Sequence, residues 1–104
     1  MVTQASAALD TEQERQRLVD EMVSEHGPDW SEQYKPGTFG CHELLDRASL
    51  AAKAVEESVL SHPACALSPE WFALAEQAVS ALNELYQRIG EAHRGDKPAQ
   101  TGND

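Results

Sequence analysis

Apolar residues recur along this chain in two long stripes of helical period. Cys41, Leu45, Ala48, Ala52, Val55 and Val59 follow one another at steps of 4, 3, 4, 3 and 4, the spacing that puts side chains on one face of an α-helix. Leu44 and Ala51 widen one flank of that face, and Leu50 and Ala54 lie roughly opposite. A second stripe, Trp71, Ala75, Ala78, Leu82, Leu85 and Ile89, has the same steps. Phe72, Val79 and Tyr86 flank it on one side, and Leu74 and Ala81 on the other. Between the stripes stands His62-Pro63-Ala64-Cys65-Ala66-Leu67-Ser68, too short a connection to do anything but reverse the chain. The pattern predicts an antiparallel helical hairpin with helices at about 41–61 and 69–92.

The boundaries carry their own chemistry. Ser68-Pro69-Glu70 places a serine at the N-cap, a proline in the first turn and a carboxylate just after, which together satisfy orphan amides and complement the helix dipole. Thr38 is the candidate start of the first hairpin helix, and His62-Pro63 stops it, because the residue before a proline is pushed out of the helical region. Upstream, Leu18, Val19, Met22 and Val23 form a narrower stripe that ends at Gly27-Pro28. Asp10 or Thr11 can cap this element, and Thr11-Glu12-Gln13-Glu14 reads as a capping box. A third, N-terminal amphipathic helix is therefore expected at about 11–26.

The fold class that follows is all-α: a small helical bundle in a single domain of residues 10–93, between disordered tails at 1–9 and 94–104. The connection from Pro28 to Gly40 holds Lys35-Pro36-Gly37, a type II turn signature. It also holds Trp30, Tyr34 and Phe39, whose rings are expected to pack over one end of the hairpin.

Charge narrows the function classes. Eighteen acidic against eight basic side chains leave a formal charge of -10 on 104 residues, so a phosphate backbone or an anionic lipid surface is repelled over most faces. No apolar run approaches the length of a membrane span, and the N-terminus has no basic segment of the signal-peptide kind. A cytoplasmic protein that binds neither nucleic acid nor membrane is expected. Cys41 and Cys65 fall at opposite ends of the first hairpin helix, too far apart for a disulfide. Reduced thiols agree with a cytosolic location.

Antiparallel helices bring Cys41, His42, Glu43 and Asp46 towards Tyr86, Arg88 and His93, the polar cluster that the fold itself assembles. Two imidazoles and a carboxylate suit a divalent metal. Helix-bundle metal sites, however, use Glu-x-x-His repeats that are absent here, and the same residues serve equally as caps and dipole complements at helix ends. At the other end, His62 and Cys65 read as loop-capping residues. The chain has no Gly-rich phosphate loop, no Cys-x-x-Cys and no Gly-x-Ser-x-Gly, so no cofactor is expected. The stripe of the second hairpin helix is wider than one neighbour can cover. A non-catalytic adaptor or regulatory subunit is therefore expected, meeting a second copy or another protein through the Leu74/Ala81 flank. The alternative is a metal- or ligand-binding bundle, or an enzyme, with its site at the His42/His93 pole.

Overall fold

The computed structural model describes residues 4–95, with side chains from residue 8 onward. The ends of the two expected tails, 1–3 and 96–104, lie outside the described residues. Among the described residues there is no strand, and the helices are α1 (Gln4–His26), α2 (Phe39–Val55), α3 (Pro63–Ala66) and α4 (Pro69–Arg94). A 3-10 turn at Trp30–Gln33 lies between α1 and α2. No described helix is long and apolar enough to cross a membrane. The chain divides into two compact units, one up to Glu32 and one from Gln33 on.

In the first unit, α1 begins at Gln4 and runs through Asp10 and Thr11 without a break. The expected start was seven residues too late. Ala5, Ala7, Ala8 and Leu9 are strong helix formers, and their propensity extends the helix past the candidate caps. The capping box accordingly does not start the helix, and Glu14 accepts hydrogen bonds from Arg17, three residues on. Arg15 donates to both carboxylate oxygens of Glu12 at 2.9 and 2.6 Å, and Arg17 also reaches Glu21 at 3.0 Å. These hydrogen bonds hold the Glu12 and Glu14 carboxyls below the usual carboxylate range. The helix stops as expected, with the Gly27 amide donating to Val23 O at 2.8 Å.

In the second unit, the Pro36-Gly37 turn closes through Thr38 N–H donating to Lys35 O at 3.0 Å, with Gly37 at φ 93°. That positive φ is the value a type II turn demands and glycine supplies. Thr38 then caps α2, its hydroxyl oxygen accepting from the Cys41 amide at 3.3 Å. The aromatic rings do not form the expected cover over the hairpin end: Phe39 is 79% exposed and Tyr34 more than half exposed. Close backbone approach orders this segment instead. A side chain on Gly40 would collide with the Gln33 carbonyl and with the Tyr34 ring.

After Val55 the helix widens into a π turn at Glu56–Leu60, where Ser61 N–H donates to Glu56 O at 3.1 Å. One extra residue per turn rotates the stripe. Leu60, and not the expected Val59, turns partly inward, and Val59 is left exposed. His62 caps the single turn α3, its Nδ1 accepting from the Ala64 amide at 3.0 Å. Ser68 caps α4 as its sequence predicts, its Oγ accepting from Trp71 N–H at 3.1 Å. Gly95, in the left-handed conformation, ends α4 and donates to Ala92 O.

Helices α2 and α4 pack along each other in opposite directions. His42 and Leu45 lie against His93 and Gly90 at one end, and Val59 shares a groove with Trp71 and Ala75 at the other. The buried set is Cys41, Ala48, Ala52, Cys65, Ala75 and Val79, with Gly90. Small side chains let the two backbones approach, and the interface of α2 follows its predicted stripe.

The interface of α4 does not. Trp71, Ala78 and Leu85 are exposed, whereas Phe72, Ala75, Val79, Leu82 and Ile89 turn inward. The face that meets α2 is rotated by one residue, towards what the sequence suggested was a flank. Both stripes share Ala75, Leu82 and Ile89, so periodicity alone fits either. The rotation removes Trp71 from the core and stands it at the surface.

Candidate functional site

The two ends of the α2/α4 hairpin differ in chemistry. At the end where α2 begins, the His42 and His93 rings lie 5.6 Å apart between centroids and tilted by 42°. His93 Nδ1 accepts a hydrogen bond from the Gly37 amide at 2.9 Å, which assigns its proton to Nε2 and ties the Pro36-Gly37 turn to the end of α4. Glu43 points along its own helix to Arg47 at 3.2 Å. Arg88 likewise pairs with Glu84 at 2.9 Å. Asp46 is exposed, and so is Tyr86. Of the six residues expected at this pole, the structure brings the two imidazoles together. Among the described residues, no group of three or more His, Cys, Asp or Glu side chains is placed to hold a metal ion.

The opposite end is apolar. The π turn contributes Ser58 and Val59, the connection contributes His62 and Cys65, and α4 contributes Trp71, Leu74 and Ala75 to an open groove of about 520 Å³. Trp71 is 60% exposed, Leu74 58% and Val59 47%, so the walls of the groove are large side chains in water. Leu67, at the end of α3, projects beside it in sequence and is more exposed still. His62 Nδ1 accepts the Ala64 amide in capping α3, which gives this imidazole a structural role. Both cysteines are free and buried. The groove offers mainly hydrophobic contact, with the buried Cys65 thiol and His62 in its lining.

Leu74 and Ala81, expected on one interface flank, sit in different surroundings. Leu74 lines the groove, whereas Ala81 lies among Ala73, Glu76, Gln77, Ser80 and Glu84 on a wetter surface of α4. Periodicity did not single out Val59 or Trp71 as surface residues. The first needed the π turn and the second the rotation of α4. One signal was legible: between Lys53 and Arg88 the chain has no lysine or arginine, but five glutamates.

No protein-family model matches this chain, and neither a curated protein nor a solved structure matches it significantly. The functional reading therefore rests on the chain's own geometry.

Proposed function

We propose that this is a non-catalytic, cytoplasmic protein that acts by docking another protein, as an adaptor or regulatory subunit. One observation carries the reading. The core of the hairpin is made of small side chains, while Val59, Trp71 and Leu74 stand exposed around a single groove. Clustered large apolar groups on a small domain mark contact surfaces, and tryptophan is the residue most enriched where binding energy concentrates.

Magnitudes set the character of the contact. Full burial of such a side chain is worth about 1.5–3 kcal/mol, and these three are already about half covered. Closing the groove therefore contributes roughly 4 kcal/mol of apolar stabilisation, near the low end of the roughly 4–15 kcal/mol cost of association. Apolar contact alone makes a weak complex, so the surroundings of the groove must add to it. Free thiols and the excess of carboxylates support a cytoplasmic setting.

A photo-crosslinking residue placed at Leu74, and in a second variant at Gln77, tests the docking reading in the cells that make the protein. Discrete adducts at 74 and none at 77 are expected. No adduct at either position, or the same pattern at both, would reject it. The alternative, a metal or small ligand at the other pole, has the His42/His93 pair in its favour. Stoichiometric metal in the purified protein, lost on His42→Ala, would establish that alternative.

A further inference from the structure

We infer that the occupant of the groove is a basic amphipathic helix of a partner protein, its apolar face against Val59, Trp71 and Leu74 and its lysines or arginines against Glu56, Glu57 and Glu70. This deepens the docking reading and rests on it. The argument is charge complementarity. The stretch 54–87, which contains every groove residue, has five glutamates and no lysine or arginine. Glu84 is neutralised by Arg88, but among the described residues Glu56, Glu57, Glu70 and Glu76 have no cationic partner. Glu56 and Glu57 directly precede the groove residues Ser58 and Val59, and Glu70 directly precedes Trp71. Glu56 also stands three residues before Val59, and Glu70 four before Leu74, spacings that put side chains on one side of a helix. Unpaired carboxylates beside an apolar slot favour cations at the rim of whatever fills it.

The same charge excludes the nearer candidates. A second copy would set Glu56, Glu57 and Glu70 against like charges on a chain of net charge -10. The chain's own α1, offered by another copy, has six carboxylates and two arginines, and those arginines are already engaged by Glu12, Glu14 and Glu21. A helix fits the slot better than an extended strand, because the groove residues come from helices and the connection between them, and among the described residues there is no strand edge to extend.

The test uses the full chain and a synthetic peptide of two Leu-Lys-Lys-Leu-Leu-Lys-Leu heptads, compared with its partner in which every lysine is replaced by glutamate. Binding is followed by the blue shift of tryptophan emission, with Trp71→Phe as the control that abolishes it. The lysine peptide is expected to bind at least about tenfold more tightly than the glutamate peptide. Its affinity is expected to fall when salt rises from about 50 to about 500 mM. Replacing the three carboxylates together (Glu56→Gln, Glu57→Gln, Glu70→Gln) should weaken it by about tenfold, and Leu74→Ser should weaken it comparably with helix content unchanged. Equal binding of the two peptides, or lysine-peptide affinity unmoved by the triple variant, overturns the charge assignment. Crosslinks at position 74 in cells would still stand in that case, so the docking reading fails separately. Dimerisation of the chain alone, reversed to 11.4 kDa by Leu74→Ser, would make the occupant a second copy and overturn the proposal.

Discussion

The two ends of the α2/α4 hairpin are built from the same pair of helices and finish them in opposite ways. Where α2 begins, the polar groups find partners close by: Glu43 with Arg47, Arg88 with Glu84, and His93 with the Gly37 amide. Where α4 begins, the caps of Ser68 and His62 satisfy the backbone, but Trp71, Leu74 and Val59 stand in water, with Glu56, Glu57 and Glu70 close by in sequence. At the first end these three contacts lie within the α2/α4 unit. The second leaves large apolar side chains in water, and it is there, not at the cluster of histidine, cysteine and carboxylate, that we place the proposed contact.

The comparison is open to attack, most severely at the strut that both ends share. Ala78→Pro removes an amide from the middle of α4 and drives a ring into the preceding turn, and is expected to cost about 3 kcal/mol or more. Chemical denaturation followed by circular dichroism measures it, and an unchanged midpoint would show that the two ends do not depend on one continuous helix. Gly40→Ala strikes the first end alone. Its Cβ meets the backbone carbonyl of Gln33, which cannot swing aside as a side chain could, so a loss of about 1–3 kcal/mol is expected. Gly90→Ala is the contrast: its Cβ meets only the end of the Arg94 side chain and ordinary contact with Leu45. Relief of the helical glycine penalty should leave that variant as stable as the parent or up to about 1 kcal/mol more stable.

Single hydrogen bonds come next. Ser68→Ala removes the cap of α4 and is expected to cost about 1 kcal/mol. His93→Phe frees the Gly37 amide, which is exposed and can turn to water, so the loss should be no larger than about 1 kcal/mol. Amide exchange at Gly37 should quicken in His93→Phe and stay unchanged in Ser68→Ala. The reverse result would place the contact elsewhere. Thr11→Ala, within α1, is expected to cost less than Ser68→Ala, because Thr11 lies inside the helix and not at its N-terminus.

The smallest effect belongs to the surface ion pairs of α1. Hydrogen bonds from Arg15 and Arg17 lower the carboxyl groups of Glu12 and Glu14, so their contribution is present above the ordinary carboxylate range and is lost as pH falls through the lowered folded values. Both pairs are fully exposed and screened by solvent. Acid titration followed by the amide shifts of α1 should show partial loss of helix, abolished in Glu12→Gln with Glu14→Gln. A titration unaltered by those substitutions would remove the ion pairs as its cause.

What the sequence by itself determined is what local chemistry decides. Ser68-Pro69, Gly27-Pro28 and Pro36-Gly37 act through the backbone of their immediate neighbours, and each lies where its residues place it. The stripe of α2 was legible because its small residues, Cys41, Ala48 and Ala52, recur on one face, where a close neighbour can pack. Local chemistry also misled once, at α1, where a capping signature competed with a run of alanines and lost. Tertiary structure decided the rest. The apolar residues of α4 extend so far round the helix that two faces, one residue apart, fit the same period, and only contact with α2 selects the face of Phe72, Val79 and Ile89. No local sequence signal marks the π turn that exposes Val59, and the bond from Gly37 to His93 joins residues 56 positions apart. The groove follows from the first two of these together, since it exists only once α4 has turned Trp71 outward and α2 has turned Val59 to face it.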